Sequence, residues 1–269
     1  PLQGDALPGL AQALEHGAPA VRQAALAALA RCVPPSAEAF AGDERAAWVQ
    51  RLERIVAADD DESARLAWRA FAALGEAPAA IPASILGTPA PAWTVEVEAV
   101  RALAASEATR GELVERLAKL PLDQQVGTRV NVVWVALSSL RRAADAMPSS
   151  IASLQPLRRA LASARADLPR RRFELAILRC EAEVLAAIAD GSVATLGTCA
   201  RDDRELFAPS YAASLSVDAL AAMGRASAMR VRADGLVELA VDERPAVAAA
   251  ALSALADLED PRVNPLLRE

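Results

Sequence analysis

Between residues 17 and 32 the chain reads GAPAVRQAALAALARC, and between 242 and 258 it reads DERPAVAAAALSALADL. In the first stretch Val21, Ala24, Ala25, Ala28, Leu29 and Cys32 fall at i, i+3, i+4, i+7, i+8 and i+11; in the second, Val247, Ala250, Ala251, Ala254, Leu255 and Leu258 repeat those steps. This is the spacing of a helix with one buried face. Walls of a single shared core meet different neighbours and call for different side chains, whereas a stack of like units calls for like ones. The recurrence therefore constrains the fold to a series of similar helical units.

Further copies lie between the two. ARLAWRAFAALG places Ala64, Ala67, Trp68, Phe71, Ala72 and Gly75 on the same template. Looser copies start at Val95, Arg129, Phe173 and Ala212. Seven starts between 21 and 247 average about 38 residues per unit, within the range of helical-pair repeats. Partner helices fill the intervals. One starts at the acidic Asp43, carries Ala47, Leu52 and Ile55, and stops at the turn from Asp59 to Ser63. EATRGELVERLAKLPLD and PSSIASLQPLRRALASARADLP are two more, each closed by a proline that cannot continue a helix. The second is expected to span about 150–165. VEVEAV at 95–100 alternates like a strand, but its alanine-rich continuation favours helix.

PAVRQAALAAL and RPAVAAAALSALADLEDP resemble HEAT repeats, above all the bacterial HEAT-like class with its V-R-x-A-A-x-x-A-L core. The resemblance implies an all-α fold, a right-handed α-solenoid of about seven helical pairs forming one domain over residues 1–269. It also implies a polar ladder between units, from an aspartate in the turn to an arginine early in the second helix. Asp60 or Asp61 with Arg65 fits that pattern; Arg22 lacks the aspartate, and Ala248 replaces the arginine.

Composition agrees with helices. Hydrophobic residues make up 54% of the chain but aromatics only 3%, so the apolar content is the alanine, leucine and valine of closely packed helices. A net charge of −6 argues against a general nucleic-acid binder. One lysine, Lys119, stands against 28 arginines, a bias expected of a GC-rich bacterial source. Cys32, Cys180 and Cys199 form no C-x-x-C pair, which suggests neither a disulfide framework nor a zinc site and fits a reducing cytoplasm. No apolar run reaches the roughly 18 residues of a membrane span. The chain opens on PLQGD, without methionine or a basic-then-apolar leader, and is expected to be a domain cut from a longer protein.

Catalytic constellations are missing from the sequence. His16, the single histidine, lies at the end of the first helix, where a cation is mildly stabilising. Cys32 and Cys180 fall on buried stripes and read as small apolar fillers. No phosphate-binding glycine loop, nucleophile elbow or paired-carboxylate motif occurs. The expectation is a protein that is not an enzyme and needs neither cofactor nor metal. Among the tryptophans, Trp68 and Trp134 are expected in the core, and Trp93, following the proline-rich GTPAPA, is expected at the surface.

Charge supplies the candidate site. From 141 to 172 there are eight arginines against Asp145 and Asp167, in an otherwise acidic chain. Arg141, Arg142, Arg158, Arg159, Arg170, Arg171 and Arg172, together with Trp93, are the candidate partner-binding residues. The stripe would dock an acidic protein segment, with anionic lipid and nucleic acid the weaker fits. Against this stands a solvated face paired with neighbouring acids such as Glu174 and Glu181. The expected function is a protein–protein interaction scaffold; the competing expectations are a self-assembling module and a HEAT-like enzyme such as a bilin lyase or DNA glycosylase.

Overall fold

The computed structural model describes residues 7–31, 43–58, 60–120, 128–146, 154–164, 169–190, 234–242, 245–257 and 259–263. The template copy starting at Ala212, together with Cys32 and Cys199, lies outside the described residues, as does the Cys180 side chain. Within the described residues the regular structure is helical and contains no strand, and no helix is long and apolar enough to cross a membrane. The helices are α1 (Leu7–Leu14), α2 (Pro19–Arg31), α3 (Asp43–Ala58), α4 (Asp61–Leu74), α5 (Trp93–Ala105), α6 (Glu107–Ala118), α7 (Thr128–Ala146), α8 (Gln155–Ser163), α9 (Pro169–Asp190), α10 (Asp234–Ala240) and α11 (Pro245–Asp257). They group into two compact units, Pro1–Arg116 and Leu117–Glu269.

α4 shows why the sequence starts and stops a helix where it does. Asp60 accepts hydrogen bonds from the amides of Glu62 and Ser63, both at 3.0 Å, which satisfies donors that have no partner inside the first turn. At the other end Gly75 adopts φ 67°, a left-handed conformation that glycine enters without steric cost. There the Gly75 amide donates to Ala72 O and the Glu76 amide to Phe71 O, a Schellman closure. VEVEAV lies within α5 and is helical, as its alanine-rich continuation requires.

In the first unit α2 packs on α1 and on α4, α3 packs on α4, and α4 packs on α5. The template positions of α4 and α5 face this core. Ala67, Trp68 and Phe71 are fully buried, as are Ala99, Ala102 and Leu103. The Trp68 and Phe71 rings pack tilted, with centroids 5.6 Å apart, a geometry that aromatic pairs favour. α2 departs from the expected face. Val21 is 38% exposed and Ala24 is exposed, while Ala25, Leu26 and Leu29 are buried. The two leucines, which have the most apolar area to remove from water, are the most deeply buried residues of α2.

Between α4 and α5 the described residues include no partner helix. Residues 76–92 instead run as a non-helical segment carrying Pro78, Pro82, Pro89 and Pro91, which deny it a helical hydrogen-bond ladder. Ile81, Ile85 and Leu86 are buried, so the segment still fills the space. Three side chains from other elements hold its backbone. The buried Glu96 accepts from the Leu86 amide at 2.9 Å, and Glu53 accepts from the Ala79 amide at 2.7 Å. Arg116 donates to the carbonyls of Ile81 and Pro82, both at 2.8 Å, and of Ile85 at 3.1 Å. Gly87 crosses so close to the Ala83 carbonyl that a methyl group there would overlap it.

In the second unit α7 and α8 each pack on α9, and α10 packs on α11. Val132, Val133, Ala136, Leu137 and Leu140 of α7 are fully buried at their template positions, and α8 adds Leu157 and Leu161. α8 is shorter than the expected 150–165. It has nine residues between its caps, Leu154 and Ala164, a length of about 14 Å at 1.5 Å per residue. The C-terminal copy buries Ala251, Ala254 and Leu255 of α11.

Candidate functional site

Four of the described arginines, Arg22, Arg110, Arg116 and Arg179, serve main-chain carbonyls. Arg22 is the fourth residue of α2, and its Nη1 donates to the carbonyls of His16 and Gly17 at 3.0 and 3.1 Å. Arg110 is the fourth residue of α6, and its Nε and Nη2 donate to Ala104 O and Ala105 O, both at 2.8 Å. Arg22 thus binds the turn that follows α1, and Arg110 reaches back to the carbonyl-rich end of α5, where acceptors lack intrahelical donors and a cation meets the negative end of the helix dipole. Arg179 of α9 does the same for α8, binding Leu161 O at 2.9 Å and Ala164 O at 2.8 Å. A planar guanidinium can bridge two carbonyls, which the compact ammonium of lysine does less well.

The expected aspartate–arginine ladder takes another form. Arg65 bonds within its own helix, its Nη2 2.6 Å and its Nε 2.8 Å from the Glu62 carboxylate. That bond is the main cause holding the Glu62 carboxyl below its ordinary range and the Arg65 guanidinium above its own. Asp60 is also held low, chiefly by the Ser63 amide and then by the Ser63 hydroxyl. Its partner from α2 is Gln23, whose Nε2 donates to Asp60 Oδ1 at 3.3 Å. Arg65 cannot serve both acids, and the one in its own helix, three residues away, is nearer.

The arginine stripe divides. Arg158 of α8 grips Glu183 of α9 with two bonds of 2.9 and 2.6 Å, the forked geometry of a strong charge-assisted pair. Arg141 Nε of α7 lies 3.9 Å from the buried Glu181 carboxylate of α9, one of the acids expected as a pairing partner. These two arginines tie helices together. Arg142 and Arg159 are exposed; Arg142 donates to Ser139 Oγ at 3.4 Å, and Arg159 makes no ion pair among the described residues. The side chains of Arg170, Arg171 and Arg172 lie outside the described residues.

Trp93 begins α5 in the first unit and is 55% exposed, as expected. Trp134, expected in the core, is 41% exposed. It follows template position Val133 by one residue, a turn of about 100° that carries the indole off the buried stripe. It shares the outward face of α7 with Asn131, Ser138 and Arg142, spaced 131, 134, 138 and 142. An apolar indole and a guanidinium on one helix face, about 12 Å apart along the axis, can engage a segment that alternates apolar and acidic groups. The one-residue offset of Trp134 from the template was the available signal for this exposure.

Among the described residues no group of three or more His, Cys, Asp or Glu side chains gathers in metal-binding geometry. No protein-family model matches the chain, and no curated protein matches it. Among solved structures the chain is similar to the crystal structure of an engineered protein from a structural genomics consortium. The two share 18% identity with a TM-score of 0.34, over 93% of this chain and 95% of the other. So loose a likeness carries no argument about fold or function.

Proposed function

We propose that the chain is a HEAT-like right-handed α-solenoid of about seven helical pairs that acts as a cytoplasmic scaffold for protein association. The packing supports the repeat reading: template helices lie against one another in series, α2 on α4 on α5 in one unit and α7 on α9 in the other. The observation that carries the functional reading is the outward face of α7, where Trp134 and Arg142 stand exposed together. Aromatic and arginine side chains dominate the energetics of protein interfaces. The partner in this reading presents an acidic segment with an apolar anchor, and the exposed Arg159 of α8 is a further cation it could meet.

The test is a double variant, Trp134→Ser with Arg142→Glu. Both side chains are exposed, so the variant is expected to keep the wild-type circular dichroism and melting temperature. Affinity purification from the source cells should enrich a partner on the wild type and lose it roughly tenfold on the variant. Equal recovery on both would overturn the assignment. Sedimentation of the purified chain at increasing concentration should give a constant coefficient; a rising one would favour a self-assembling module instead.

A further inference from the structure

The turn between α1 and α2 and the facing side of α3 enclose an open cleft of about 450 Å³ in the first unit, a volume typical of small-molecule sites. Its floor is apolar, formed by the buried Leu14 and Ile55. Its rim is cationic: Arg22, Arg51 and Arg54 against the single acid Glu15. This excess of two positive charges sits in a chain whose net charge is −6. It is independent of the arginine stripe.

The rim is arranged with unequal freedom. Arg22 is anchored to the carbonyls of His16 and Gly17 and fixes one wall. Arg51 contacts Glu15 at 3.1 Å and lies over the Trp48 ring, 5.7 Å from its centroid, so its guanidinium is stacked and oriented. Arg54 is exposed and makes no hydrogen bond or ion pair among the described residues. The Ala18 amide donates to His16 Nδ1 at 3.1 Å, which orients the imidazole at the edge of the cleft. The cleft therefore offers the open fork of Arg54 and a partly engaged Arg51 above two aliphatic side chains.

We infer that this cleft binds a small organic anion, with a carboxylate or phosphate head on Arg54 and Arg51 and a short apolar tail over Leu14 and Ile55. Arg54 supplies the bidentate contact, and Arg51 exchanges its bond with Glu15 for one with the ligand.

Titration calorimetry at constant ionic strength, with hexanoate, hexyl phosphate and neutral hexanamide as probes, tests this. Both anions are expected to bind saturably in the millimolar range or tighter, and hexanamide not to bind. The tighter of the two anions identifies the head group. Arg54→Ala should weaken both by about fivefold or more, whereas Lys119→Ala, which removes the same charge from an exposed position outside the cleft, should leave affinity within about twofold. Arg54→Gln, which keeps the aliphatic stem, is expected to match Arg54→Ala and guards against a folding defect in either. Absence of saturation up to about 10 mM, or equal weakening by Arg54→Ala and Lys119→Ala, would overturn the proposal.

Discussion

Asp60 accepts four hydrogen bonds: those from the Glu62 and Ser63 amides and the Ser63 hydroxyl cap α4, and that from Gln23 joins α4 to α2. Asp60→Ala removes all four and is expected to lower the thermal midpoint, whereas Asp60→Asn keeps an acceptor oxygen for the cap and should retain most of it. Differential scanning calorimetry separates the two. The carboxyl groups of Asp60 and Asp260 are both held below the ordinary value of 3.8, Asp60 mainly by the Ser63 amide and Asp260, at about 2, mainly by Arg262. A carboxyl lowered by folding contributes its stability in full above the unfolded value and loses it as pH falls through the folded one. Urea midpoints should therefore drop from pH 4 toward pH 2, and Asp260→Asn should show a shallower drop than the wild type. Equal slopes would mean that the Asp260–Arg262 bond does not contribute. Trp68 poses a different demand. It is wholly buried, and its indole Nε1 has no hydrogen-bond partner among the described residues, so Trp68→Phe removes that donor along with part of the volume. Trp68→Ala, which empties the site, should cost about 3–5 kcal/mol, and Trp68→Phe distinctly less, in chemical denaturation.

At the scale of elements the non-helical segment 76–92 is the clearest case of long-range side chains deciding local structure. Arg116 binds three of its carbonyls, and Arg116→Ala should destabilise the fold by roughly 2–3 kcal/mol and raise amide exchange of the segment before that of α4 or α5. Uniform exchange across the unit would show that the segment does not depend on Arg116. Helix identity was mostly legible in the sequence because it rests on short-range causes: the acidic start at Asp43, the stop at the turn from Asp59 to Ser63 and the apolar spacing of α4, α5 and α7; Gly75, placed on the apolar template, instead closes α4 in a left-handed conformation. The rest depends on residues far apart in the chain. Nothing near residue 81 foretells that Arg116 will hold its carbonyl, and nothing near Arg65 says that Gln23 will take the aspartate. Trp134 was misplaced for a related reason, since a one-residue offset from an apolar stripe turns a large side chain outward even when its composition suits a core. The helix expected over 150–165 was cut to nine residues, because Pro156 fixes a start that the apolar pattern alone does not mark.

Across the molecule, the proposed repeat stack would stabilise itself through contacts between neighbours, so that a run of several hairpins folds without the remainder. The first unit, Pro1–Arg116, has its own buried cluster around Trp68, Phe71 and Leu103. A fragment of residues 1–120, which keeps α6 whole, is expected to give a helical circular dichroism spectrum and a cooperative melt; a broad, non-cooperative melt would show that the unit depends on the rest of the chain. The candidate site was only partly legible at this scale. Clustering of arginines in the sequence marks where cations are, but Arg141 and Arg158 proved to link α7 and α8 to α9, and only the packing distinguishes such cations from the exposed Arg142 and Arg159. Segment 76–92 carries one more implication. Glu53, Glu96 and Arg116 fasten it by peptide groups, which all residues have in common, so its outward positions Ala79, Ala80, Ala83, Ser84 and Ala90 are open to drift. A lineage could rewrite that strip of surface, and with it what the surface recognises, while leaving the framework beneath untouched.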